Sequence, residues 1–433
     1  MSTFGYDSLI TNIFSKYKLN YLASLFYWVL IACFLLLMNR TVVHMDLDTF
    51  FVSVERLNDS SLVGKPVLIG GTSDRGVVAS CSYEARQYCV HSAMPMKMAR
   101  QLCPHAIVIR GDHEQYSKLS NTVTDIIQES VPLYEKTSID EFYIDLTGMD
   151  KFYGCYKSAT ELRHKITKET GLPISFAMSS NKTVAKVGTG EAKPNGQKEI
   201  PFGEEKIFLA PLSIRKIPGV GEKTYILLRN MGIEKINTVQ EMPMELMEQV
   251  LGQNGSVIWK KANGIDNSPI EQYGERKSIS TESTFEKDTI DVKKLESIFV
   301  SMTEKLAFQL RSEEKLTGCV TVKIRYSDFK TETIQAKIPY TSLDHVLREK
   351  VKELFVKLFQ KRVLIRLIGI RFSHLIQGNY QFNMFDDTAE QLQLYQTMDK
   401  LRKRFGIKAV QSAAGMDVKK IDFNPFTGRK TIT

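Results

Sequence analysis

Met45-Asp46-Leu47-Asp48-Thr49-Phe50-Phe51 turns an apolar run, Thr41-Val42-Val43-His44, into acids and then into two aromatic rings. A run of that length reads as a short buried strand over residues 41–48. Its counterpart is Ser138-Ile139-Asp140-Glu141, where adjacent carboxylates stand between Tyr134 and the alternating strand Phe142-Tyr143-Ile144-Asp145-Leu146. Either motif alone reads as solvated acids at a strand end. Together they offer three carboxylates, Asp46, Asp140 and Glu141, from two separate strands. Mg²⁺ is a hard, oxygen-seeking ion, usually held by one or two carboxylates plus substrate phosphates. Two such ions can clamp the attacking and leaving oxygens of an in-line phosphoryl transfer.

Outward from these strands, Val67–Ile69 and Val77–Ala79 read as two more, joined by the turn residues Gly70-Gly71-Thr72-Ser73-Asp74-Arg75-Gly76. Helical spacing follows in Tyr83–Tyr88, Pro95–Leu102, Glu114–Ser130 and Tyr156–Thr170, with a strand at Ile174–Met178. This mixture predicts an α+β catalytic domain. Lys206–Gly264 differs: short helices with Gly punctuation. From Ser278 onward the pattern is strand (Ser278–Phe285), helix (Val292–Ser312), strand (Val320–Tyr326), turn, strand (Thr331–Ile338), helix (Ser342–Gln360), strand (Val363–Phe372). That is βαββαβ, a split βαβ sandwich. A polar tail follows, with a helix expected at Thr388–Phe405.

The chain has 433 residues, enough for two to four domains that each bury a core. At 43% hydrophobic and 25% charged it is globular rather than disordered. The net charge of +9 favours an anionic partner, nucleic acid first. None of the six cysteines forms a C-x-x-C pair or a zinc spacing, so free thiols in a reducing cytoplasm are expected. Leu19–Asn39 is uncharged and Tyr21–Met38 almost wholly apolar, a marginal membrane-span length. The catalytic strand starts about two residues later, with no linker. Residues 1–37 are therefore expected to be a non-native extension ahead of a start at Met38, and membrane attachment is not expected.

Other constellations suit phosphates. Ser80-Cys81-Ser82-Tyr83-Glu84-Ala85-Arg86 leaves a strand and opens a helix, whose first turn offers free backbone donors, while Arg86 adds a planar fork. Lys193-Pro194-Asn195-Gly196 is a turn fronted by a Lys that could neutralise charge on a triphosphate. Ile217-Pro218-Gly219-Val220-Gly221-Glu222-Lys223-Thr224 reads as helix, Gly hairpin, helix. Such a hairpin would meet DNA phosphates through Gly219, Val220, Gly221 and Lys223 without reading sequence. On the strand Val320–Tyr326, Thr321, Lys323 and Arg325 share the face opposite the apolar residues and could lie along a duplex backbone. In the tail, Gln381-Phe382-Asn383-Met384-Phe385 puts apolar residues in a polar segment, as docking peptides do. Gln391–Tyr395 falls within the helical pattern and reads as helix packing.

Taken together, in this order, these residues resemble a Y-family translesion DNA polymerase of the DinB (DNA polymerase IV) type, from about Met38 to Leu375. The resemblance implies a right hand plus an extra domain: palm about 38–49 and 113–201, fingers 50–112, and a thumb at 202–268 with the helix-hairpin-helix. A tether at 269–277 leads to a βαββαβ little finger at 278–376, and a tail at 377–433 follows. It implies two Mg²⁺ on Asp46, Asp140 and Glu141 with the Leu47 carbonyl helping. The incoming deoxynucleoside triphosphate would be held by Ser80, Tyr83, Arg86 and Lys193. Phe50 would pack on that nucleotide, and Phe51 would be the steric gate meeting a ribose 2′-hydroxyl. Gln381, Phe382, Met384 and Phe385 are similar to sliding-clamp-binding peptides. The expected enzyme is a monomer acting on primer–template DNA, and no second acidic constellation marks a proofreading nuclease. Two rivals are a membrane-anchored nucleotidyl cyclase with a palm-like domain and a non-catalytic DNA-binding subunit. The Gly hairpin and basic C-terminal sandwich argue against the first, and the intact carboxylates against the second.

Overall fold

The computed structural model describes residues 40–149, 154–272, 274–361, 363–378, 389–407 and 409–415. Residues 1–37 and the peptide Gln381–Phe385 lie outside them. Among the described residues the strands are β1 (Val42–Leu47), β2 (Val67–Gly70), β3 (Val78–Cys81), β4 (Ile107–Ile109), β5 (Leu133–Lys136), β6 (Glu141–Asp145), β7 (Ile174–Ser179), β8 (Gln197–Glu199), β9 (Ser278–Thr289), β10 (Lys315–Tyr326), β11 (Thr331–Thr341) and β12 (Ile365–Gln377). The chain divides into two compact units, 1–65 with 114–273 and 66–113 with 274–433. Among the described residues no helix is long and apolar enough to cross a membrane.

The first unit is built on a five-stranded sheet in the order β5-β6-β1-β7-β8. β1 is central because Val42, Val43, Met45 and Leu47 are apolar and buried, so both of its edges and both of its faces must be covered. β6 and β7 flank it antiparallel. The helix Lys182–Ala192 lies against β1 and β7. Gly188 permits that approach, since a Cβ there would meet the Ala177 Cβ at 2.8 Å and Ile200 Cδ1 at 2.6 Å. Short helices between Glu205 and Ala262 pack around an apolar core that includes Leu209, Ile217, Leu228, Val239 and Ile258 and runs on to Ala177, Val184 and Val187. Asp266 fastens the end of this region, accepting from the Thr183 amide at 3.1 Å and hydroxyl at 2.7 Å.

The second unit holds the small sheet β3-β2-β4 and the four-stranded antiparallel sheet β11-β10-β12-β9. The latter, with helices Val292–Ser312 and Asp344–Leu358 in the connections, has the expected βαββαβ order. β12 runs between β9 and β10, which is the split arrangement. Within this unit Arg75 reaches from the β2–β3 turn to Asp288 at 2.5 Å and the Phe285 carbonyl at 2.9 Å.

Several elements differ from the sequence reading. β10 and β12 run longer than expected, because each supplies ladder partners to the other from Lys315–Gln377 to Tyr326–Ile365. β4, β5 and β8, each of three or four residues, are too short to show a periodic signal. The helix Phe50–Asn58 was also not legible as such. The segment before the Gly hairpin is a three-residue 3-10 turn, Ile214–Lys216, rather than a helix. There the Ser213 hydroxyl takes the Arg215 amide, and Pro218 follows one residue beyond the turn, after Ile217. The helix expected at Thr388–Phe405 is present as Ala389–Phe405, and it packs on the unit through charged side chains. Arg311 binds Asp399 at 2.6 Å and Asp344 at 2.5 Å, and Arg402, 1% exposed at its side chain, lies between Glu304, Asp344 and Asp399.

Candidate active site

The pairing of β1 with β6 sets Asp46 directly across from Glu141. One step on, the Leu47 amide donates to the Asp140 carbonyl at 3.0 Å. The three sequence-predicted carboxylates therefore come from neighbouring strand ends in one unit. Asp140 is set by a local turn: the Ser138 hydroxyl donates to Asp140 Oδ1 at 2.5 Å and accepts from the Glu141 amide at 3.0 Å. Ser120, on the helix His113–Ser130, anchors the same turn by donating to the Ile139 carbonyl at 2.5 Å.

Two lysines neutralise the acids. Lys193 Nζ lies 2.5 Å from Asp46 Oδ1, and Lys186 Nζ lies 2.6 Å from Glu141 Oε2. Burial pushes the Asp46 carboxyl up to about 6; Lys193 opposes the rise, and the charges of Asp140 and Glu141 add to it. His44, two residues before Asp46 and buried, is held well below its ordinary value by burial and then by Lys186 and Lys193. It rests with Nδ1 on the Thr189 hydroxyl at 3.0 Å.

Asp48 has a different task from Asp46. It is 2% exposed, and Oδ2 accepts from the Ser175 hydroxyl at 2.8 Å and from the Asn195 amide at 2.6 Å. Ser175 in turn accepts from the Gly196 amide at 3.1 Å. Arg163 braces the other side, donating to the Asn195 carbonyl at 2.6 Å and side-chain oxygen at 2.7 Å. The turn Lys193–Gly196 is thereby tied to the end of β1, which is what carries the Lys193 ammonium to Asp46. Gly196 is required, because a Cβ would stand 1.9 Å from the Ala192 carbonyl oxygen.

Thr49, in the left-handed region at φ 43°, turns the chain from β1 into the helix Phe50–Asn58. Both aromatics thus fall on its first turn. Phe51 is half-buried and stacks on Tyr116, with centroids 4.4 Å apart. Phe50 is only 2% exposed, so its ring belongs to the packing beneath the site and leaves little surface on which a nucleotide could lie.

Ser80, Tyr83 and Arg86 lie in the second unit. The helix they open is only Tyr83–Arg86, capped by the Ser82 hydroxyl on the Ala85 amide. Four residues sum to a small dipole, so the expected helix-end attraction reduces to side chains. There the Arg86 guanidinium lies 4.9 Å over the Tyr83 ring, an exposed fork on an aromatic plate. In the same unit Thr321, Lys323 and Arg325 share the face expected of them, opposite buried Val322, Ile324 and Tyr326. Part of that charge is engaged: Lys323 pairs with Glu282 at 2.7 Å and Arg325 donates to Thr331 at 2.9 Å. Arg371, next to Thr321 in register and exposed, adds a cation that strand-by-strand reading did not connect. In the first unit Gly219, Gly221 and Lys223 are exposed and Val220 is buried. Gly219 takes φ +106°, which favours Gly.

The acids at this strand edge supply hard oxygen donors, which suit Mg²⁺ in kind. As the side chains stand, Asp46 is turned to Lys193 and Glu141 to Lys186. No three His, Cys, Asp or Glu among the described residues converge closely enough to hold an ion. The sequence reading missed Lys186, Asp48, Arg163 and Tyr116. Asp48 stood within the deciding stretch, and Tyr116 begins the inner face Tyr116, Ser120, Val123, Ile127. Lys186 and Arg163 carried no signal, since their partners lie 45 and 32 residues away.

Comparison with known proteins places this geometry. The impB/mucB/samB family matches residues 45–190 and its C-terminal domain residues 276–384. The thumb domain described for DNA polymerase-iota matches residues 215–266. The chain is 37% identical over 377 residues to a DNA polymerase IV of Dehalococcoides mccartyi, covering 86% of this chain and 97% of that protein. It is 34% identical over 381 residues to a DNA polymerase IV of Treponema denticola, covering 87% and 96%. Among solved structures it is similar to the Y-family DNA polymerase chimera Dbh-Dpo4(243-245)-Dbh. There the identity is 26% and the TM-score 0.67, over 78% of this chain and all of that one. The expected α+β multidomain fold, a right hand with a helical thumb and an added βαββαβ domain, is borne out. The chain belongs to the Y family of DNA polymerases, alongside the DNA polymerase IV proteins.

Proposed function

We propose that this chain is a template-directed DNA polymerase of the error-tolerant, lesion-bypassing kind, adding deoxynucleotides to a primer 3′-hydroxyl. The observation that carries the reading is the register that sets Asp46 across from Glu141 with Asp140 adjacent. The primer oxygen attacks the α-phosphorus, a new P–O bond forms, and the bond to the pyrophosphate leaving group breaks. Family members use divalent metals; here we assign two Mg²⁺ to Asp46, Asp140, Glu141 and the Leu47 carbonyl. When bound, they would lower the pKa of the 3′-hydroxyl and neutralise the departing pyrophosphate. Lys193, released from Asp46, would hold the triphosphate; Ser80, Tyr83 and Arg86 are kept as nucleotide contacts on the family resemblance. Phe51 would exclude the ribose 2′-hydroxyl. Charge neutralisation and positioning supply most of the rate.

We assign the parts as the family resemblance implied: palm 38–49 and 113–201, fingers 50–112, thumb 202–268, tether 269–277, little finger 278–376. The Gly219–Lys223 hairpin and the Thr321, Lys323, Arg325 face would track the DNA backbone. Gln381, Phe382, Met384 and Phe385 would dock on a sliding clamp. The protein is read as a cytoplasmic monomer without proofreading, and the five described cysteines are free. Neither the cyclase nor the non-catalytic rival is favoured. Primer extension with Mg²⁺ is the test: Asp140→Ala should abolish extension and leave DNA binding largely intact, and near wild-type extension by that variant would sink the assignment.

A further inference from the structure

Phe51 does not stand alone. One face of its ring lies on Tyr116, with centroids 4.4 Å apart and planes 14° apart. Tyr116 is 2% exposed, and its hydroxyl donates to Glu55 Oε1 at 2.6 Å. Glu55 is itself buried, one turn beyond Phe51 on the helix Phe50–Asn58. A second polar pair fastens the same two helices: Asn58 and Gln115 exchange amide hydrogen bonds at 3.0 and 2.8 Å. Phe50 closes on Tyr116 edge-on, with centroids 6.2 Å apart.

A ring excludes a hydroxyl only if it cannot retreat. A lone half-exposed Phe yields by turning part-way off its rotamer, which costs little. Here the retreat path is filled by a second ring. That ring cannot follow without breaking its bond to a buried carboxylate, which would be left without its donor. The geometry points to Tyr116 and Glu55 as positioning residues for sugar selection, stiffening Phe51 so that rejection of ribonucleotides belongs to the three residues together. This rests on the reading of Phe51 as the gate.

The experiment measures the ratio of kcat/KM for a deoxynucleotide to that for its ribonucleotide, on the full chain with primed DNA and Mg²⁺. Phe51→Ala should lower the ratio strongly. Tyr116→Leu should lower it roughly two- to tenfold, the worth of one stacked pair. Tyr116→Phe, which keeps the ring and loses the anchor, should lower it less, and it carries the test if the Leu variant does not fold. Glu55→Gln retains an acceptor and should keep the ratio, whereas Glu55→Ala should not. In a Phe51→Ala background the Tyr116 changes should add nothing, because they act through the missing ring. A purely structural role would lower both rates and leave the ratio alone. If Phe51→Ala shifts the ratio and neither Tyr116 variant does, the inference is overturned while the gate stands. Equal effects of Tyr116→Phe with and without Phe51 overturn it as well. An unchanged ratio in Phe51→Ala overturns the gate reading itself, and the support role with it.

Discussion

At the scale of single residues, two acids two positions apart have different tasks. Asp46 is spared full burial, carries a raised pKa and holds Lys193 at 2.5 Å; Asp48 is buried, accepts from an amide and a hydroxyl, and lies 3.9 Å from the same ammonium. Asp48→Asn would offer the Asn195 amide and Ser175 hydroxyl a poorer acceptor. It should cost on the order of 2 kcal/mol of stability, as expected for a buried charged hydrogen bond. It should also raise the nucleotide KM, because Lys193 loses its fixed position. Chemical denaturation and steady-state kinetics check both, and a stability loss with unchanged KM would leave Asp48 as scaffolding only. Asp46 yields a pH prediction. Its folded pKa, about 6, stands above the ordinary 3.8. The folded protein therefore binds this proton more tightly than the unfolded chain. Its stabilising contribution is full below pH 3.8 and is lost as pH rises through 6. In chelator, wild type should gain on the order of 2 kcal/mol relative to Asp46→Asn between pH 7 and pH 4. Parallel urea melts across that range would refute it by showing a constant difference.

At the scale of elements, the helix Ala389–Phe405 depends on buried charge rather than on an apolar stripe. Arg402 stands among Glu304, Asp344 and Asp399, and burial raises the carboxyls of Glu304 and Asp344. Removing one partner of such a group strands the others in low dielectric, at about 3–5 kcal/mol. Arg402→Ala should therefore release this helix from Arg311 and from His345, whose ring nitrogen meets the Tyr395 hydroxyl at 3.1 Å, seen as early proteolysis within 389–405 and a lower Tm. Unchanged protection in hydrogen exchange across 389–405 would show that the network is dispensable. The Lys193–Gly196 turn makes the same point in reverse. Its residues are typical of any surface turn, and it becomes part of the site only through Asp48, Ser175 and Arg163.

At the scale of the whole molecule, phosphate contacts alone hold DNA weakly at physiological salt, so tethering to a ring already on the DNA would raise the local concentration of the enzyme. Replacing Phe382, Met384 and Phe385 with Ala should leave clamp-free synthesis of short products intact and abolish stimulation by the clamp. Clamp binding by the triple variant would refute the docking peptide. The sequence alone determined the acidic strand end at Asp46, the Asp140-Glu141 pair, the βαββαβ order and the apolar and basic faces of β10. These are local: alternation and turn residues are written within a few positions of one another. Only the tertiary structure decided which acid faces a lysine and which anchors a turn. It also decided that Phe50 is packing while Phe51 rests on Tyr116, and that the helix Ala389–Phe405 is docked. Those outcomes depend on partners 45 to 147 residues apart, Lys186 with Glu141 and Lys193 with Asp46 among them. A charge or a ring has no periodicity that reveals its distant partner, so its role is set by burial and register, which exist only once the chain has folded.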